Sequence, residues 1–160
     1  MKLSKRLQVI AGLIEKGASV ADIGTDHGYL PVYLVQSGLY RKIIASDINA
    51  SALVAARRSA EDADVTDSIK FIVAPGLDEV IAAEVDTVVI SGLGGEMISG
   101  ILSDTPWTKQ REIKLILQPQ SKIDILFRFL YDNGYEIKQI KSVLDREKYY
   151  TVILATGGTT

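Results

Sequence analysis

The chain contains no cysteine. That absence removes disulfides, thiolate nucleophiles and thiolate zinc sites at once. A single histidine, His27, stands among 160 residues, so a multi-histidine metal centre cannot be assembled within one chain, and no metal site is expected. A Ser-His-Asp triad would have to use that same histidine, and no G-x-S-x-G turn is present. Neither sign of charge dominates: the formal net charge is −2, so any contact with nucleic acid must rest on local patches. No apolar run approaches membrane-spanning length. The opening MKLSKRLQ leads into mixed polar and apolar residues rather than a signal-peptide core. A cytoplasmic protein without a membrane partner is the expectation. Apolar residues are plentiful instead. At 47% hydrophobic and 24% charged, the chain has the balance of one folded domain with a substantial core.

Apolar runs alternate with helical patterns along the whole chain. Leu3, Leu7, Ile10, Leu13 and Ile14 fall at helical spacing, predicting a helix over Leu3–Lys16 with Ser4 near its start and Gly17 closing it. Strands are predicted at Ala18–Ile23, Lys42–Ser46, Ile69–Val73, Thr87–Ile90 and Ile113–Leu117. Helices are predicted at Tyr29–Gln36, Ala50–Ala63, Glu96–Leu102 and Lys122–Asn133, with a short one at Leu77–Ala83. Tyr135–Leu144 and Lys148–Ala155 read as an antiparallel pair around Asp145-Arg146-Glu147, and Thr156–Thr160 as a tail without an ordering signal. The expected domain is therefore 1–155. Its class is α/β: a mostly parallel sheet with right-handed crossovers, both faces covered, and an antiparallel terminal hairpin. Such sheets bind ligands beyond the carboxyl ends of their strands, where the strand order reverses.

The most informative stretch, VADIGTDHGYLP at Val20–Pro31, lies at that end. An apolar strand runs through Asp22 into a glycine turn and a helix. Such a turn brings backbone N–H groups and a helix N-terminus to a small ligand. The next strand ends in Asp47, and a carboxylate there suits the two hydroxyls of a ribose. The turn is not the dinucleotide fingerprint G-x-G-x-x-G: Gly24 and Gly28 enclose Thr25, Asp26 and His27. A carboxylate at Asp26 would repel a pyrophosphate, which argues against NAD and FAD. S-adenosylmethionine, cationic at its reactive end, meets no such conflict, and Asp22 and Asp26 can accept hydrogen bonds from its ammonium group. The plainer alternatives are a strand–turn–helix with Asp26 as N-cap, and Asp47 as cap of the helix near Ala50.

With these motifs placed, the chain resembles the bacterial tRNA (adenine-22-N1)-methyltransferases, the TrmK family. DIGTDHGYLP at Asp22–Pro31, SGLGGEMI at Ser91–Ile98 and LILQPQ at Leu115–Gln120 carry the resemblance, and GYEIKQIKSVLDREKYYTVILA near the end is similar too. It implies a seven-stranded Rossmann-like methyltransferase fold, S-adenosylmethionine as methyl donor and tRNA as partner, with N1-methyladenine as product. Family members continue past this core into a helical segment thought to help hold tRNA, whereas this sequence stops at Thr160. Cofactor binding is accordingly expected of the core, and oligomeric state is left open, a monomer being compatible.

On that resemblance Asp22, Gly24, Asp26 and Gly28 surround the methionine portion, Asp47 takes the ribose, and Ile48 and Asn49 flank the adenine. Pro75, Gly76 and Leu77 would face the adenine from the other side, unless they serve only as a turn. His27 has three readings: a contact to cofactor or target base, a helix cap, or a neutral packed ring. Ser91 is grouped with the cofactor. Gly92, Gly94 and Gly95 let backbone approach a flat base or simply pack a helix start against the sheet. Gln118 would offer an amide to an adenine edge, the competing view being a buried amide satisfied by backbone. Asp26, Gly94 and Gln118 are the candidate catalytic residues. Methyl transfer to N1 needs alignment more than a general base, and alignment supplies up to roughly 7–11 kcal/mol. The product base is cationic, which gives a carboxylate such as Asp26 a stabilising role. Because N1 is hidden in stacked RNA, the nucleotide must be turned out into the pocket. Lys2, Lys5 and Arg6, and Lys138, Lys141, Arg146 and Lys148, are two basic groups that can meet phosphate or serve as solvated surface. Tyr149 and Tyr150 are either stacking platforms or sheet packing. A methyltransferase for protein or small molecules, and a nicotinamide-binding domain, are the competing functions.

Overall fold

A computed structural model describes residues 3–158, so Lys2 and the last two tail threonines lie outside the described residues. The elements are α1 (Lys5–Gly12), β1 (Ser19–Ile23), α2 (Tyr29–Ser37), β2 (Lys42–Asp47), α3 (Ala50–Asp62), β3 (Lys70–Val73), β4 (Thr87–Gly94), α4 (Gly95–Ser103), β5 (Lys114–Ser121), α5 (Ile123–Asp132), β6 (Tyr135–Asp145) and β7 (Lys148–Gly157). The seven strands form one sheet in the order β3-β2-β1-β4-β5-β7-β6. All pairings from β3 to β5 are parallel, and β7 is antiparallel to both β5 and β6. The chain therefore steps outward from β1 to β3 and returns to place β4 on the other side of β1. That reversal opens the crevice between β1 and β4.

Period-two alternation divides the core between the two faces. Val20, Ile43, Val89 and Ile116 point to the side covered by Ile10 of α1, Leu30 and Leu34 of α2 and Ala60 of α3. Ala21, Ile44, Ile90 and Leu117 point to the other, covered by Ile98 and Leu102 of α4 and Leu126 and Leu130 of α5. β1 is buried along its whole length, as its near-continuous apolar sequence predicts.

Several boundaries differ from expectation, for physical reasons. α1 ends at Gly12 with Leu13 as its cap, because the chain must turn back for the Gly17 N–H to reach the Leu39 carbonyl at 2.7 Å. The expected helix at Leu77–Ala83 is a run of tight turns. The Asp78 and Val80 N–H groups donate to the Pro75 and Leu77 carbonyls, and only Ala82–Glu84 forms a single 3-10 turn. Leu77 and Val80 are both anchored in the core. β4 and β5 run past their apolar segments because Ser91 pairs with Gln118, Leu93 with Pro119 and Gly94 with Ser121. β7 continues through Thr156, which pairs with Lys114, to Gly157, whose bare α-carbon admits the Lys109 carbonyl. The β6–β7 turn is tight, with positive φ at both Arg146 (52°) and Glu147 (65°), the conformation that matches strand twist. Among the described residues, no helix is long and apolar enough to cross a membrane.

Candidate cofactor pocket and active site

At the carboxyl ends of β1, β2 and β4 lies a cavity of about 1280 Å³. Its floor is the β1–α2 turn, which is tied to β2: the Gly24 and Thr25 N–H groups both donate to the Ser46 carbonyl, at 2.9 and 3.2 Å. Asp47 closes the end of β2. One of its oxygens accepts the Asp26 N–H at 3.2 Å and the other the Asn49 N–H at 2.9 Å. Two backbone donors thus fix the carboxylate, while its remaining lone pairs face outward. Asp47 is therefore not the cap of α3. That place belongs to Asn49, whose side chain accepts from the Ser51 N–H at 3.0 Å.

Asp22 is buried, with a relative exposure of 3%, and accepts a hydrogen bond from the Thr25 hydroxyl at 2.9 Å. Burial dominates its chemistry and pushes its pKa up to about 7; the Thr25 hydrogen bond and the Arg6 charge act in the opposite direction, and Asp47 adds to the rise. Among the described residues no cation comes within 4 Å of this carboxyl.

Asp26 does not cap α2. Gly28 occupies the N-cap position in the left-handed conformation, without a side-chain cap, and Asp26 itself has a φ of 55°. Its carboxylate is exposed at the rim, 3.9 Å from His27 Nε2. His27 stacks on Tyr29 with ring centroids 5.3 Å apart, at the mouth of the cavity rather than in the core. Ile48, Asn49, Pro75, Gly76 and Ser91 also line the cavity, as does Gly24.

Four of the residues expected at the site lie elsewhere. Gly28 belongs to the contact between α2 and α3, where a β-carbon would fall 2.8 Å from that of Ala56. Leu77 is a core residue at 2% exposure. Gly94 is crowded by Glu96 and Ser121, and the neighbouring Gly95 by the Lys122 carbonyl, so these glycines serve close packing of the α4 start; Gly92 alone of the three lines the cavity. Gln118 is buried at 1% exposure. Its oxygen accepts from Arg6 Nη1 at 2.8 Å and its nitrogen donates to the Pro119 carbonyl at 2.9 Å, so the amide is engaged within the protein. Gln120, two residues on, reaches the cavity instead.

The largest feature without a sequence signal is the roof. Residues Leu3–Gln8, from the start of α1, and Asp145, Arg146 and Tyr150, from the hairpin, form one wall of the cavity. They come together because Asp145 accepts the Arg6 N–H at 3.2 Å and the Arg6 guanidinium lies over the Tyr150 ring, 5.6 Å from its centroid. No local pattern marks this contact, since it joins residues 139 positions apart. The other basic residues of the hairpin stay outside: Lys138 pairs with Glu136 at 2.9 Å. Tyr149 is exposed, and Lys148 as well as Arg6 lies near the Tyr150 ring, 5.4 Å from its centroid. Among the described residues no cluster of His, Asp and Glu could hold a metal.

A parallel sheet reversed between β1 and β4, with a glycine turn after β1, an acid at the end of β2 and an antiparallel strand beside β5, defines a Rossmann-like methyltransferase fold. A family profile described as "Methyltransferase domain" matches residues 3–153. The chain is 34% identical to the tRNA (adenine(22)-N(1))-methyltransferase of Bacillus subtilis (strain 168), over 99% of this chain and 66% of that protein. It superposes with a TM-score of 0.90 and 30% identity on a Streptococcus pneumoniae putative tRNA (m1A22) methyltransferase solved in complex with S-adenosyl-L-methionine, covering 99% of this chain and 75% of that one. For M. capricolum TrmK in complex with S-adenosyl-homocysteine the TM-score is 0.85 and the identity 32%, over 99% of this chain and 70% of the other. The chain belongs to the TrmK-like tRNA (m1A22) methyltransferase family. It spans about two thirds of the length of the curated relatives it matches.

Proposed function

We propose that this protein binds S-adenosylmethionine in the β1–β4 crevice and transfers its methyl group to N1 of adenine 22 in tRNA, in the cytoplasm. The single observation that carries the reading is the pair of carboxyls, Asp22 and Asp47, that line one cavity in different surroundings. Asp47 is fixed by two N–H donors and keeps lone pairs free for hydroxyls. Asp22 is buried, with no cation within 4 Å among the described residues, and gains most from a ligand that brings one. A ribose at the first and an ammonium at the second fit these requirements, whereas a diphosphate would face Asp26 across the turn. The family supports the same reading, since relatives are described as tRNA adenine methyltransferases and one was solved with the cofactor.

When bound, the cofactor supplies the electrophilic methyl group. The chain's own residues do the rest. Asp22, Gly24 and the backbone of the turn orient the methionine portion, and Asp47 fixes the ribose. Ile48, Asn49, Pro75 and Gly76 enclose the adenine. Gly92, without a side chain, leaves room for the target base to lie flat beside Ser91, and its β-carbon position meets only Gln120 at 3.8 Å. Asp26 stands exposed at the rim, where a carboxylate offsets the positive charge the base acquires. His27 and Tyr29 offer stacked rings to a nucleotide turned out of its stack. With Gln118 engaged by Arg6, the amide available to an adenine edge is that of Gln120.

The decisive experiment compares methylation of a tRNA transcript with one whose adenine 22 is guanine. Methyl incorporation confined to the first is expected. Equal incorporation in both would exclude position 22, and incorporation into neither, with cofactor still bound, would turn attention to a different acceptor.

A further inference from the structure

The tip of the β6–β7 hairpin has a shape that its residues do not favour. A tight turn with two consecutive positive φ angles is the usual place of Asn-Gly, because a long side chain is strained there. Here the two positions hold Arg146, with φ 52°, and Glu147, with φ 65°, and both are exposed. Among the described residues neither has an ion-pair partner within 4 Å. Arg146 stands at the same time in the wall of the active-site cavity. The strain is carried by a side chain that the fold leaves free at the site.

The two faces of the tip differ. Val143, Tyr150 and Val152 belong to the α1 side of the sheet, so Leu144 and Tyr149, which pair across the strands, point to the other side. Helix α5 covers the foot of that side, where Phe129 meets Tyr135 with ring centroids 5.9 Å apart. At the tip Leu144 is 45% and Tyr149 71% exposed, an apolar shelf bearing an aromatic ring. Tyr150, the next residue, lines the cavity, so this shelf lies directly outside the cavity mouth. Three exposed cations stand near it: Arg146 and Lys148 in the hairpin, and Lys5 beside the Arg6 N–H that Asp145 accepts.

We propose that this tip grips the RNA strand beside the target adenosine: Arg146 takes a phosphate of the nucleotide turned into the pocket, and the Tyr149 ring stacks on the base of a neighbour left outside. The assignment rests on reading the protein as a tRNA adenine methyltransferase. Turning a nucleotide out places its phosphates at the cavity mouth and leaves the next base without its stacking partner. A guanidinium in the cavity wall meets the first consequence, since its fork matches phosphate oxygens. A ring on the outer face meets the second, and stacking accepts any base, so the tip supplies grip rather than sequence choice. The two side chains are three positions apart on one tight turn, one at the cavity and one outside it, as a nucleotide and its neighbour would be. The cations around the shelf favour a polyanion as its occupant, with Glu147 the opposing charge at the tip.

The test measures tRNA methylation kinetics, S-adenosylmethionine binding and apo melting temperature for the wild type, Arg146→Asn, Tyr149→Ser and Tyr149→Phe. Asparagine suits the turn better than arginine, so Arg146→Asn should hold or raise the melting temperature while raising the KM for tRNA about 10-fold. The log–log salt dependence of its tRNA binding should become shallower by about 0.7–0.9, the loss of one phosphate contact. Tyr149→Ser should raise that KM by about 5- to 50-fold, whereas Tyr149→Phe, which keeps the ring, should stay within about twofold of wild type. Affinity for S-adenosylmethionine should stay within about twofold in all three. An unchanged KM in Arg146→Asn or in Tyr149→Ser overturns the proposal. So does a KM effect that only accompanies a lowered melting temperature, which would make the tip structural, and so does weakened cofactor binding in Arg146→Asn, which would assign that residue to the cofactor. A wild type that binds S-adenosylmethionine but methylates no tRNA would bring down the functional reading and this proposal together, an outcome visible before any variant is made.

Discussion

A carboxyl enclosed by protein, with Thr25 as its one hydrogen-bond donor among the described residues, gives up its proton reluctantly. Asp22 holds it up to about pH 7, against an ordinary value of 3.8. The folded state therefore binds this proton more tightly than the unfolded chain does. Stability from this group is fullest below about pH 4, falls as pH climbs towards 7, and is level above, a total cost of about 4 kcal/mol at 1.4 kcal/mol per tenfold change in proton affinity. Asp22→Asn should accordingly raise the apo melting temperature at pH 8 and not at pH 4, while weakening cofactor binding at least tenfold; thermal melts and titration calorimetry read both. The same carboxyl must ionise to pair with an ammonium group. Cofactor affinity in the wild type should therefore drop about tenfold for each pH unit below 7 and flatten above it. A flat profile from pH 5.5 to 8.5 would show that Asp22 does not meet a cation. Asp47→Ala acts differently. It removes the acceptor for two N–H groups as well as for ribose hydroxyls, so it should weaken the cofactor and loosen the β1–α2 turn together.

Among the elements, α4 shows how one helix carries both tolerance and constraint. A β-carbon at Gly95 would fall onto the Lys122 carbonyl at the start of α5, whereas at Gly100 it would meet nothing within 4 Å. Gly95→Ala should destabilise by about 1–3 kcal/mol or prevent folding, because backbone rather than a movable side chain is in the way. Gly100→Ala should stabilise by about 0.5–1 kcal/mol by removing helix-interior glycine. Urea titration of the pair checks this contrast within one short helix. Most helix and strand types were legible because their patterns were clean, as in the buried apolar run of β1. The ends were less so. β4 and β5 extend through polar Ser91 and Gln118 because each pairs with the other, a cause that lies outside either segment. The turn run at Leu77–Ala83 was not legible either, since burial of Leu77 and Val80 three positions apart suits a helix face as well as a tight turn.

For the molecule as a whole, a ligand that binds only the folded state stabilises it. S-adenosylmethionine at 100 times its Kd should add about 2.7 kcal/mol, and a rise in melting temperature of roughly 2–4 °C per kcal/mol is usual for a domain near this size; NADH at the same concentration should add none. Equal shifts with both would remove the argument from Asp26 against dinucleotides. The class of fold, the end of the sheet at which the cavity opens, and the acids that line it were all readable from the residue order. Those properties follow from local pattern: hydrophobic period, a glycine turn, and strands that end in Asp22-Ile23 and Asp47. Which candidates face the cavity was settled by packing in three dimensions. Gly28, Leu77, Gly94 and Gln118 turned to packing, while α1 and the hairpin closed over the crevice and brought Arg6 to it. The place of Gln118 and the closing of α1 over the crevice depend on contacts between residues more than a hundred positions apart, Arg6 with Gln118 and with Asp145. The direction of a side chain there is set by the neighbours that folding brings, not by the residues beside it in the chain.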